Sequence, residues 1–152
     1  MSAWIKMLSN QEASENLTNL FNLVKTPHGT VDNVMRIHSL RPNTMKGHYN
    51  LYNSVLHDEE NCIPTWLQET ISSYVSILNN CEYSFANHWK NAEFLINDKK
   101  KSNLILKALK KKKLKFFFSG KELALLNYAE KLTLAPKEMV KSDVENLKNL
   151  GL

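Results

Sequence analysis

TWLQETISSYVSILNNCEYSFANHWKNAEFLIN, Thr65 to Asn97, is the stretch that decides the fold. Its first half is a strongly apolar helical segment, with Thr65 and Gln68 at the spacing of a capping box. Asn79-Asn80 breaks that segment, and a second helical pattern starts at once with Cys81. Two helices joined by so short a break fold back as an antiparallel hairpin. Outward from it the pattern stays helical. Apart from Gly47, the glycines and prolines fall between or at the ends of periodic segments, as helix punctuation does.

Upstream, SNQEASENLTNLFNLVKTPHG carries Leu17, Leu20, Phe21 and Val24 on one stripe and predicts a first helix ending near Pro27 and Gly29. Asp32 is placed to cap a second helix through NVMRIHSL. Arg41-Pro42 breaks it before NTMKGHYNLYNSVLHD continues with Met45, Tyr49, Tyr52, Val55 and Leu56. Downstream come a lysine-flanked segment, GKELALLNYAEKLTLAP and KEMVKSDVENLKNLGL. There is no strand-like alternation, repeat or low-complexity linker. The expectation is one all-α domain over residues 1–152.

A chain of 152 residues buries roughly two-thirds of its unfolded surface and needs no staple of metal or disulfide. Two distant cysteines make no disulfide framework, and MSAWIKMLSN lacks the basic and apolar regions of a secretory signal, so a cytoplasmic protein is expected. No apolar run reaches the roughly 20 residues that span a bilayer. The net charge of +5 comes mostly from KKKSNLILKALKKKKLK, in which Lys99–Lys101 and Lys110–Lys113 bracket an apolar segment. Such a block can hold phosphates, but it reads first as a solvated helix face. No aromatics alternate with the lysines to stack bases, and nucleic acid is not expected as a partner.

At about 100° per residue, Cys81, Ser84 and His88 fall within a sector of about 60° on one helix face. Cys81 would lie in the first turn, where free N–H groups and the helix dipole favour a thiolate. Glu69 lies nine residues before the end of the preceding segment at Leu78, about 13 Å along the axis, and His88 seven residues beyond Cys81, about 10 Å. The hairpin therefore brings carboxylate and imidazole roughly level, the arrangement of a proton relay. The spacing alone leaves a second reading open, a small hydrophobic cysteine and a satisfied polar histidine. His28, His38, His48, His57 and His88 show no metal-binding spacing, and Cys62 has no nearby CxxC partner.

Glu69, eleven residues, Cys81, two residues, Ser84, three residues and His88 together resemble the E-x11-C-x2-C-x3-H signature of the carboxymuconolactone decarboxylase and alkylhydroperoxidase D superfamily. HGTVDNVMRIHSLRPNTMKGHYNLYNSVLH, LQETISSYVSILNNCEYSFANH, GKELALLNYAEKLTLAP and DVENLKNLGL are similar to its peroxidase-related branch, from about Trp4 to Leu152. The resemblance implies an all-helical fold around the motif-bearing hairpin, assembly into homo-oligomers, and reduction of a peroxide substrate with an external thiol as reductant. No cofactor or metal is implied. Glu69 and His88 match the relay positions and Cys81 the first cysteine.

Ser84 stands where the signature has its second cysteine. A hydroxyl cannot form the disulfide, although it can bond to His88 one turn away. Relatives of that branch continue for a further helical segment after the counterpart of NLGL, so the chain is expected to lack that segment. The leading expectation is a hydroperoxide-reducing oxidoreductase using Cys81, with Ser84 beside the Glu69 and His88 relay. The alternative is a catalytically degenerate helical scaffold or binding protein.

Overall fold

The computed structural model describes residues 3–26 and 28–152, so Pro27, near which the first helix was expected to end, lies outside the described residues. Among these residues the regular structure is entirely helical: α1 (Glu15–Leu23), α2 (Asn33–Arg36), α3 (Pro42–Leu56), α4 (Thr65–Leu78), α5 (Glu82–Ile96), α6 (Lys99–Lys110), α7 (Gly120–Leu134) and α8 (Lys141–Asn149). Short 3₁₀ turns occupy Leu114–Phe116 and Pro136–Glu138. The chain divides into two compact units, Met1–Asn61 and Cys62–Leu152.

In the first unit α3 packs against α1 and α2. Its core joins Leu17, Phe21 and Val24 from the predicted stripe to Met35 and Met45. The helix α1 is shorter than its periodicity predicted. Ser9 and Glu12 exchange side-chain-to-backbone bonds of 2.9 and 3.3 Å, which close a local turn, and the helix starts only after Ser14, whose hydroxyl accepts from the Leu17 N–H. The helix α2 is a single turn rather than the full NVMRIHSL. Arg36 gives the reason for its placing. Its guanidinium donates to the Leu8 carbonyl and to Asn10, both at 2.9 Å, and lies 4.4 Å from the centre of the Phe21 ring. Pro42 opens α3 at its first turn, where a missing N–H costs nothing.

The second unit is built on α4, which packs along α5 and α7 and also meets α6. Tyr74, Leu78, Trp89, Ile105, Leu109 and Leu126 form the centre of its core. The capping box expected from Thr65 and Gln68 does not form. Pro64 is the cap residue and has no side-chain oxygen, while the Gln68 amide donates instead to the Ile63 carbonyl at 2.8 Å. Buried Tyr74 donates its phenol to Glu130 at 2.7 Å and so ties α4 to α7. Lys131 and Asp143, 2.7 Å apart, tie α7 to α8. Among the described residues no helix is long and apolar enough to cross a membrane.

Candidate functional site

The site begins at the joint between α4 and α5. After Asn79 the chain takes one left-handed residue, Asn80, with φ of 54°. The Asn80 N–H then bonds to the Ile77 carbonyl at 3.1 Å and the Cys81 N–H to the Ser76 carbonyl at 2.9 Å. This pair of bonds is a Schellman closure. Asparagine tolerates the left-handed conformation better than other residues with a Cβ. Cys81 therefore ends one helix and caps the next, with an extended backbone (φ −98°, ψ 91°). It lies one residue ahead of the first turn predicted for it, and its backbone is not helical.

So short a joint sets α5 antiparallel against α4 and brings Glu69 to His88. The His88 Nδ1 lies 2.7 Å from Glu69 Oε2. Asn91, one turn further along α5, donates to the other carboxylate oxygen at 3.3 Å. Glu69 is buried, whereas the His88 side chain keeps 26 % of its exposure. A carboxylate accepts only, so Nδ1 carries a proton, and in the neutral ring Nε2 keeps its lone pair. The pair is a basic nitrogen whose ring is fixed from behind, at the edge of the solvent.

Ser84 does not bond to His88 as predicted. Its Oγ lies 2.8 Å from Ser76 Oγ, across the hairpin. Ser76 Oγ in turn lies 2.7 Å from the Ser72 carbonyl. A hydroxyl has one proton, so Ser76 divides its own between Ser84 Oγ and that carbonyl. Cys81 is a free, exposed thiol. It opens into a shallow depression of about 510 Å³, with Ile77, Phe85 and Ala86 as apolar walls and Lys110 and Glu82 as its charges. Glu69, Ser84 and His88 do not line that depression. The hairpin thus unites Glu69 with His88 and Ser84 with Ser76, and turns Cys81 toward α6.

No family model matches the sequence, and no curated protein sequence does. Solved structures do match. An uncharacterised peroxidase-related protein from Ralstonia eutropha JMP134, described as an alkylhydroperoxidase AhpD core, has a TM-score of 0.78 at 18 % identity, covering 97 % of this chain and 75 % of that one. An uncharacterised peroxidase-related protein from Silicibacter sp. TM1040 gives 0.79 at 20 %, covering 99 % and 75 %. This chain has the AhpD-core fold.

Within the AhpD-core fold, sequence reasoning missed three participants. Asn91 could have been found from its place one turn after His88, on the same face. Ser76 and Lys110 depend on contacts between helices that no local pattern announces. The histidines also hold a surprise away from the hairpin: His38 Nε2 and His48 Nδ1 lie 2.9 Å apart, and Thr44 Oγ1 is 2.9 Å from His38 Nδ1. Burial and the neighbouring His48 push His38 below the usual histidine range. Among the described residues no three metal-ligating side chains gather.

Proposed function

We propose that the protein is a peroxidase-related oxidoreductase that reduces hydroperoxides at Cys81, with Glu69 and His88 as the proton relay and an external thiol as reductant. The observation that carries this reading is the pairing of buried Glu69 with the partly exposed His88. A carboxylate taken out of water costs several kcal/mol unless it is paired and hydrogen-bonded. Here one of its oxygens holds the His88 imidazole and the other accepts from the Asn91 amide. The Cys81 sulfur attacks the terminal peroxide oxygen, the O–O bond breaks, and the products are a sulfenic acid and an alcohol. The thiol's proton travels to the alkoxide by way of water and His88 Nε2. One equivalent of external thiol then gives a mixed disulfide and water. A second releases Cys81 and leaves the reductant as its disulfide.

The test uses a Cys62→Ser background, because Cys62 is also an exposed thiol. Brief treatment with dilute cumene hydroperoxide and a sulfenic-acid trap should add one trap molecule by intact mass. Cys81→Ser should abolish the adduct, and His88→Gln should slow it about a hundredfold. A folded protein whose thiol is never trapped ends the enzymatic reading. The second reading, a helical scaffold without redox chemistry, is favoured by the Ser84–Ser76–Ser72 chain, which occupies the position of the missing sulfur with a settled structural contact.

A further inference from the structure

The surface beside the second half of α6 is not used by the reading above. After Lys110 the helix closes by a second Schellman pair, Lys112 N–H to the Leu109 carbonyl and Lys113 N–H to the Ala108 carbonyl, each at 3.0 Å. Lys112 takes the left-handed position, with φ of 52°. The chain therefore doubles back, and the 3₁₀ turn lies along the helix it has just left. Between them is a groove of about 390 Å³, inside the range of small-ligand sites. Leu104, Ala108, Phe116 and Phe117 give its apolar surface, and Lys107, Lys111 and Lys113 supply its charge. No carboxylate lines it.

Two features exceed what solubility demands. Phe116 is 82 % exposed and Leu104 49 %, so large apolar groups stand in water at the groove. None of the three lysines is in an ion pair among the described residues, where Lys6, Lys99, Lys131 and Lys141 are. The Lys113 ammonium lies 5.6 Å from the centre of the Phe116 ring, which keeps charge and apolar surface together. A dipole at the end of α6 accounts for cations there, but not for the exposed phenylalanine facing them.

We propose that this groove binds a single-chain amphipathic anion, an unbranched aliphatic body with one carboxylate or phosphate head. The chain would cover Leu104, Ala108 and the two phenylalanines, and the head would sit among the three ammonium groups. The same chemistry could arrive as a free molecule or as a lipid in a membrane, and the assignment is to the free molecule.

The test is calorimetry and amide NMR on the full chain with decanoate, below its micelle concentration, against decanol and inorganic phosphate. Saturable one-to-one binding of decanoate is expected, with shifts confined to residues 104–118 and weakening as salt rises. Decanol and phosphate should each bind about tenfold more weakly or not at all. The double variant Lys107→Glu and Lys111→Glu should lose about tenfold in affinity, and so should Phe116→Asp, whose exposed position leaves folding intact. Lys137→Glu, on the other 3₁₀ turn, is the control and should bind as wild type. Equal binding of decanol, or decanoate binding that survives both substitutions, overturns the proposal. Sedimentation with phosphatidylglycerol vesicles in the absence of saturable decanoate binding overturns it in favour of a membrane surface.

Discussion

Ser84 is the residue on which the proposed chemistry turns, because it is the one position where the E-x11-C-x2-C-x3-H pattern is broken. Its hydroxyl is held by Ser76 and leaves His88 to Glu69 alone. Ser84→Cys places a thiol one turn from a basic imidazole and three residues from Cys81. If the pocket still suits redox chemistry, dithiol-dependent peroxide turnover should rise about tenfold or more over wild type. Non-reducing mass analysis should find an internal disulfide. A folded variant with neither gain would mean that the serine chain marks a site given over to structure, and the scaffold reading would then stand.

At the scale of the elements, the hairpin was legible because it is local: apolar periodicity, a two-asparagine break and a resumed helix lie within one stretch of sequence. The Glu69–His88 meeting followed from rise per residue alone. What the sequence concealed was cap chemistry and long-range pairing. Cys81 is displaced from the first turn because the Schellman closure of α4 needs its N–H, and Pro64 displaces the capping box at the other end of α4 because it offers no side-chain oxygen. No local pattern announces that the Tyr74 phenol on α4 reaches Glu130 on α7, 56 residues away. Burial and the hydrogen bond to that carboxylate both push the Tyr74 phenol well above its usual range. Tyr74→Phe should therefore lower stability in urea unfolding by about 1–2 kcal/mol, with α7 loosened first in amide exchange.

For the molecule as a whole, carboxylates held in ion pairs and backbone turns contribute to the acid limb of stability. The Lys6 hydrogen bond and the Ser9 backbone N–H hold Glu12 down to about 2, from an ordinary 4.5. Lys131 and the Val140 N–H lower Asp143 in the same way. A depressed carboxylate contributes fully above its unfolded value, and that contribution is lost as pH falls through the folded one. Thermal melts should accordingly begin to fall below about pH 6.5, where His38 protonates more readily unfolded than folded, and fall further between about 4.5 and 2, and Glu12→Gln should remove part of the lower slope. The same local economy governs how the chain folds. Asn80 closes α4 onto α5 within a joint of three residues, so this hairpin can form with almost no loop to order and before any distant contact is made. Asn80 is then a kinetic residue as much as a structural one. Asn80→Ala, forced into the left-handed region at a cost of about 1 kcal/mol, should slow refolding by nearly the whole of that amount and leave the unfolding rate almost unchanged in a chevron experiment.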